Sequence, residues 1–339
     1  MKYSKSRPTS ERTETSIIIL NFNGKKFLET CLDSVFQSKE QNFEVIFVDN
    51  ASSDGSVDLI REKFGDRANL KIVSCEKNFG YSMGNNIGAR HARGKYLVFL
   101  NPDTWVEPSW IHSLIEVLDS DSSIGIAQAK LLRDENTIDS VGGELNCYGF
   151  GRIRGQNEVN NRKYDEVNDI FYPTGAAFII KRKKWELIGG FDPIYFVSFE
   201  DADLGWRMWD SGYRVVIAPR SVVYHKRRAI TGKYPTIYRY FSLRNRIIIL
   251  VKNHSLKNLI RFLPVTITIY VFNIFKQFFS RNAKEVLIEV KSILWCLFFF
   301  KKIWKSRMQR MQMFPPSAAS LRMMSKYLFG EKLKDLLRA

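Results

Sequence analysis

The chain has 339 residues, enough for one large α/β domain and an appendage, and its 45% apolar content is that of a globular protein rather than a disordered one. Its net charge of +17 is unevenly placed: from Arg220 to the end 25 Lys and Arg stand against 4 Asp and Glu, a net of +21, while residues 1–219 carry −4. Four cysteines, Cys31, Cys75, Cys147 and Cys296, show no C-x-x-C spacing, which speaks against a disulfide framework or a thiolate metal site.

Residues 1–14 are polar and charged, a flexible N-terminus with no apolar core and so no signal peptide; the expectation is a protein held in the cytosol. Residues 16–22 form a continuous apolar run of strand length, as strands buried on both faces of a parallel sheet do. After Asn23-Gly24, Phe27, Leu28, Cys31, Leu32, Val35 and Phe36 recur at helical spacing. A second strand over 43–48 ends in Asp49-Asn50, and a helix capped near Ser52, Ser53 or Asp54 follows. A third strand, 70–74, leads to Asn78-Phe79-Gly80-Tyr81, a helix through Arg93 and a fourth strand, 96–100. Beyond Pro108 come a helix carrying Trp110, Ile111, Leu114, Ile115 and Leu118, and a strand over 124–131. Periodicity degrades from Asp134 to Asp169, a length without pattern that points to function or mobility. Order returns over 170–180, then a short helix to Ile188, a helix ending at Ser211 and a strand over 213–217. This β/α alternation predicts a mostly parallel, doubly wound sheet.

Four groups could carry chemistry. Asp103, in Asn101-Pro102-Asp103, lies just past the carboxyl end of a strand, where open α/β sheets bind ligands. A carboxylate there can fix a divalent cation against a diphosphate; a simple turn explains the same residues. Glu200, Asp201 and Asp203 crowd one helix start, where a single acidic cap would suffice, so one of them is a candidate general base. His225 follows an apolar strand, where a ligand role competes with a structural one. Asp49, Asn50, Asp54 and Gly55 read either as a strand-end turn with a helix cap or as hydrogen-bonding groups for a base and ribose. Neither G-x-G-x-x-G nor a P-loop is present, which lowers dehydrogenase and P-loop readings.

Several motifs, in order, resemble glycosyltransferase family 2, with its GT-A nucleotide-diphospho-sugar transferase fold, and within it the bacterial rhamnosyltransferase-like subgroup. Residues 16–23, with Asn21 among them, resemble the family's opening strand. Val48-Asp49-Asn50-Ala51-Ser52-Ser53-Asp54-Gly55-Ser56 resembles V-D-N/D-x-S-x-D-G-S, and Asn78-Phe79-Gly80 with Asn85-Asn86-Ile87-Gly88 resembles N-x-G-x-x-x-x-x-N-x-G. The resemblance covers about residues 15–226. It implies that Asp49 and Asn50 contact base and ribose, with Asn21, Asp54, Asn78, Gly80 and Asn85 in the same nucleotide-binding motifs. Asp103 matches the last Asp of the metal-binding D-x-D, whose first position is Asn101 here. Glu200-Asp201 resembles the E-D pair with Asp201 as general base, His225 a further metal ligand, and Thr174-Gly175 the loop beside the donor sugar. Loops within 142–172 would shape the sugar pocket.

The resemblance thus implies an inverting, Mg2+- or Mn2+-dependent transferase. Its donor would be a dTDP- or UDP-sugar, with rhamnose suggested by the subgroup. Its acceptor would be a glycan or polyprenyl-linked glycan in surface-polysaccharide assembly. No Q-x-x-R-W motif of processive synthases is present; Tyr238–Arg246 instead resembles a stretch of single-addition enzymes. Residues 231–339 form a basic, aromatic helical extension. The uncharged runs 262–275 and 292–300 fall short of the ~20 residues a spanning helix needs, so helices lying on the cytoplasmic membrane surface are expected ahead of an inserting helical hairpin, with a buried helical subdomain bearing a solvated basic face as the plain alternative. Other readings are a nucleotidyltransferase-like enzyme, a catalytically silent nucleotide-sugar-binding scaffold of the same fold, and a basic nucleic-acid-binding protein. The last lacks any recognised binding motif and leaves the acidic residues unexplained, so no nucleic-acid partner is expected.

Overall fold

The structure, a computed structural model, describes residues 13–226, 232 and 234–325. The first half alternates as β1 (Thr15–Asn21), α1 (Lys25–Phe36), β2 (Phe43–Asp49), α2 (Ser56–Phe64), β3 (Leu70–Ser74), α3 (Gly80–His91) and β4 (Tyr96–Leu100). Then come β5 (Thr104–Val106), α4 (Trp110–Ser120), β6 (Ile124–Asp134), β7 (Thr137–Ser140), β8 (Gly143–Leu145), β9 (Gly151–Ile153), β10 (Ala177–Lys181), α5 (Arg182–Ile188), α6 (Glu200–Asp210) and β11 (Arg214–His225). The remainder is helical: α7 (Pro235–Asn253), α8 (Leu256–Phe279), α9 (Ala283–Phe298), α10 (Phe300–Met313) and α11 (Ala318–Ser325).

One sheet runs in the order β3-β2-β1-β4-β10-β6-β11-β5, with β7 on β6. β3, β2, β1 and β4 are mutually parallel, as the continuous apolar runs predict. The other half is mixed: β10 is antiparallel to β4 and β6, and β5 is antiparallel to β11. The sheet is therefore less uniformly parallel than the β/α alternation implies, because β10 enters between β4 and β6 without a crossover helix of its own.

Alternation along the strands builds two cores. Ile17, Ile19, Phe47 and Val98 pack with Leu28 and Leu32 of α1 and Trp110 and Leu114 of α4. Ile18, Ile46, Phe99 and Phe178 face the other layer, with Ala89 of α3 and Trp206 of α6. Leu243 and Ile247–Val251 of α7, with Ile288 of α9 and Ile303 of α10, belong to this second core. The C-terminal helices thus share an apolar core with the domain.

Charged side chains tie the same elements. Asp203 of α6 is fully buried and accepts bonds from Arg207, Lys252 and Asn253 at 2.8–2.9 Å and from the Tyr195 hydroxyl at 3.1 Å. The four cysteines are free thiols; Cys31, Cys147 and Cys296 are buried.

Candidate active site

The parallel strands deliver Asn21, Asp49 and Asn101 to one edge of the sheet, in register: Asn21 lies beside Asp49. There the loops are held by side chains. Asn50 donates to Asn78 Oδ1 (2.9 Å) and to the Gly80 carbonyl (3.3 Å), and accepts from the Phe79 N–H (2.9 Å). Asp49 accepts from the Ser52 N–H at 3.0 Å and Asn21 donates to the Ser52 hydroxyl at 3.1 Å. Asp54 accepts from the Lys25 and Ser56 N–H groups; burial pushes its carboxyl up, but these bonds outweigh it and hold the group below its usual range. Gly80 has φ +78°, and a Cβ there would lie 2.4 Å from the Phe196 carbonyl oxygen. That oxygen accepts from the Tyr81 N–H at 2.6 Å, so a bare backbone is required where α3 meets the segment before α6.

A cavity of about 1200 Å³ opens beside these loops. Its wall includes Asn50, Asn78, Gly80, Asn101, Asp103, Asp201 and His225, gathered from six elements or their connecting loops. Other residues singled out in the sequence, Glu200 and Asp203 among them, lie off this wall. Asn21, Asp49 and Asp54 hold loops as described, and Asn85 donates to the Tyr81 carbonyl within α3. Thr174 donates its N–H to Gln128 Oε1 at 2.6 Å, and Gly175 donates its N–H to Asp201 Oδ2 at 3.3 Å.

Asp103 and His225 meet because β5 pairs antiparallel with β11, placing Thr104 opposite His225, while Trp105 stacks on Tyr224 at 5.0 Å. His225 Nε2 lies 3.5 Å from Asp103 Oδ1, and Nδ1 lies 2.8 Å from Asp139 Oδ2. Burial alone would lower the imidazole; the two carboxylates reverse this and raise it to about 9. Asp139, on β7, escaped the sequence reading because it falls in the aperiodic 134–169 stretch. A carboxylate on the far ring nitrogen orients a ligating histidine.

Glu200 and Asp201 begin α6 after Ser198 and Phe199, both left-handed at φ 70° and 72°. This turn sends the two carboxylates different ways. Asp201 faces the cavity, its Oδ1 accepting from the Ala202 N–H and Oδ2 from the Gly175 N–H. Burial raises its carboxyl to about 6, above the ordinary aspartate range. Glu200 lies behind it, buried, with Oε2 unpartnered among the described residues; burial first and Asp201 second push it well up. Asp203 goes the other way: burial opposes its charge, but Lys252 and Arg207 hold it ionised.

Among the described residues no cluster of three His, Cys, Asp or Glu side chains could enclose a metal ion. Mg2+ commonly takes one or two carboxylates and completes its shell with substrate phosphates and water. Asp103 and His225, adjacent on the cavity wall, would suit such a partial shell, and His225 would have to give up its proton to serve as a ligand.

The sequence profile of Glycosyl transferase family 2 matches residues 16–186, just over half of the chain. The chain belongs to glycosyltransferase family 2. It is 28% identical over 237 residues to the O-antigen biosynthesis protein RfbC of Myxococcus xanthus, which covers 68% of this chain and 18% of that protein. It is 22% identical over 263 residues to the N-acetylglucosaminyl-diphospho-decaprenol L-rhamnosyltransferase of Mycobacterium tuberculosis, 70% of this chain and 84% of that one. The chain spans between 18% and 33% of the length of three of the curated relatives that it matches, RfbC among them. Among solved structures, GalNAc-T7 with UDP, GalNAc and Mn2+ superposes with a TM-score of 0.56 at 16% identity, over 76% of this chain and 55% of that one. The mannosyltransferase PcManGT from Pyrobaculum calidifontis, in complex with GDP-Man and Mn2+, gives 0.53 at 15% identity over 95% and 89%. These likenesses establish the GT-A fold, with a C-terminal helical region added.

Proposed function

We propose that the chain is an inverting, non-processive glycosyltransferase that moves a sugar, rhamnose, from a dTDP- or UDP-linked donor to a polyprenyl-linked glycan in surface-polysaccharide assembly. The observation that carries this reading is Asp201: a carboxylate with its pKa raised to about 6, facing the cavity that also holds Asp103 and His225. The rhamnosyltransferase relative supports the sugar and the lipid-linked acceptor.

Asn50 and Asn78 on the cavity wall would take the nucleoside, and Asp103 with His225 would hold a divalent cation. That cation, Mg2+ or Mn2+, supplies charge neutralisation for the departing diphosphate. As the anomeric carbon–oxygen bond to the diphosphate breaks, the acceptor hydroxyl attacks the opposite face and its proton passes to Asp201. With Asp103 assigned to the cation, Asp201 is the one carboxylate left on the wall among the described residues, which corresponds to a single displacement, hence inversion, by analogy with the glycosidases. Fixing both substrates beside Asp201 supplies much of the rate. The apolar, basic outer surface of α8–α10 supports work at the cytoplasmic face of the membrane, as a peripheral protein.

Titration calorimetry with UDP and dTDP, each with and without Mn2+, tests the donor half. Metal-dependent binding of one nucleotide, weakened in Asp103→Ala, is expected. Asp201→Asn should keep that binding and lose transfer by about 10²-fold or more. Transfer at the wild-type rate in Asp201→Asn would remove Asp201 from the base role; binding of neither nucleotide would leave the scaffold reading with an unknown ligand.

A further inference from the structure

Three arginines, Arg239, Arg244 and Arg246, lie in α7, and two of them are occupied. Arg239 pairs with Glu285 and Glu289 of α9 at 3.4 and 3.6 Å. Arg244 donates to Asn245 Oδ1 and to the Ile194 carbonyl, both at 2.8 Å. Arg246 is different. It is 8% exposed, its guanidinium lies 4.0 Å from the Phe150 ring and 5.8 Å from the Tyr270 ring, and it forms part of the same cavity wall as Asp201. Its Nε has no hydrogen-bond partner among the described residues, and none of their carboxylates lies within ion-pair distance. The Tyr270 hydroxyl beside it donates to the Leu243 carbonyl and leaves its oxygen to accept from the guanidinium, while Glu289 of α9, which pairs with Arg239, acts on Arg246 only from beyond ion-pair distance.

A guanidinium stays charged in proteins, and a buried charge without a counter-ion is costly. Its planar fork matches the oxygens of a phosphate, and the aromatic rings on its flanks hold it in place without neutralising it. The surroundings define which phosphate. Ile153, Tyr172 and Phe241 make the neighbouring wall largely apolar. Tyr270, which touches Arg246, is on α8, and the next residues of that helix, Val271 and Phe272, turn outward and are exposed. An anion bound at Arg246 therefore sits beside the helix whose outer face is apolar.

We propose that Arg246 binds the phosphate that joins the acceptor glycan to its lipid, so that the cavity holds a lipid-linked acceptor by its charged hinge. This rests on the transferase reading above for what enters the cavity. Arg246 is a binding residue for the acceptor and takes no part in the proton transfer at Asp201.

The test is titration of the full chain, saturated with whichever nucleotide binds, with geranyl diphosphate, geraniol and inorganic pyrophosphate. The wild type should take geranyl diphosphate about tenfold or more tightly than either other probe. Arg246→Gln should bring geranyl diphosphate down to the level of geraniol, Arg246→Lys should restore part of the difference, and nucleotide affinity should be unchanged in both. Equal affinity of wild type and Arg246→Gln for geranyl diphosphate overturns the assignment. Inorganic pyrophosphate binding as tightly as geranyl diphosphate overturns the lipid-linked source and leaves a free-phosphate site. If the wild type binds no nucleotide, the transferase reading fails by itself, and the same three titrations on the nucleotide-free chain still judge Arg246.

Discussion

At the scale of single residues, neighbouring carboxylates on one helix turn do opposite things because their surroundings differ. Asp203 is fully buried and Asp201 half-buried at the cavity wall, yet it is Asp201 that is raised to about 6 and Asp203 that is depressed. Asp203 is surrounded by Lys252 and Arg207; Asp201 receives only backbone N–H bonds and faces the cavity. The first arrangement suits an anchor and the second a base. The pH profile follows from the sign. A base works only when deprotonated, so kcat/KM should fall as pH drops through about 6 and level off above it. A profile measured from about pH 5 to about pH 8 that stays flat would show that Asp201 does not titrate in the rate-determining step. The resemblance of Glu200-Asp201 to the E-D pair points to Asp201; the physical reason that it and not Glu200 faces the cavity, the left-handed backbone at Ser198 and Phe199, is not legible in the sequence.

At the scale of elements, α6 carries the candidate base and α7 the arginines, and Asp203 joins them. Lys252 also reaches Asp192 at 2.7 Å, and Asp192 accepts from Ser306 of α10 at 2.7 Å, so three helices share one buried network. Asp203→Ala leaves Lys252 and Arg207 without their shared partner in a water-free core, which should cost about 3–5 kcal/mol in chemical denaturation at neutral pH. Because Asp203 is held ionised below its usual range, its contribution is present above the ordinary aspartate pKa and is lost as pH falls below about 4. The difference between wild type and variant should therefore shrink only in acid; a variant as stable as wild type at pH 7 would show that the network is idle. This joint was illegible in sequence, because its partners lie about 50 residues apart. β1, β2 and β4 were legible, being unbroken apolar runs between turn residues. β7, β8 and β9 were not: they are three or four residues long, rich in Gly, Ser, Asp and Glu, and stabilised by pairing rather than by a hydrophobic pattern. Asp139 went unseen with them.

At the scale of the whole molecule, the basic tail acquires a surface. α8 is longer than its uncharged run suggests. It continues through Pro264 for 24 residues, long and apolar enough by length and composition to cross a membrane. On the proposed membrane role, its packing fits a helix that lies flat instead. Thr266 and Tyr270 bond to the Tyr148 and Leu243 carbonyls, and Ile269 is buried, so one face is committed to protein along the helix. The opposite stripe exposes Ile260, Val271, Phe275 and Phe279, and α9 and α10 add Leu294, Phe298, Phe300 and Trp304. Lys257, Arg261, Lys276, Lys301, Lys302 and Lys305 are exposed among them. Aromatic rings entering the headgroup boundary with lysines at the level of the phosphates is the arrangement of an interfacial helix, each cation contributing about 1 kcal/mol near an anionic surface. Flotation should therefore recover the chain with vesicles containing phosphatidylglycerol and much less with phosphatidylcholine alone. Salt should weaken the binding, and Phe275→Glu with Phe298→Glu should abolish it without shifting nucleotide affinity. Release from native membranes by high salt or carbonate would agree with a helix lying in the interface. A requirement for detergent would mean that α8 leaves its place against Leu243 and crosses the bilayer, and failure to float with either vesicle would mean that another protein surface covers these rings.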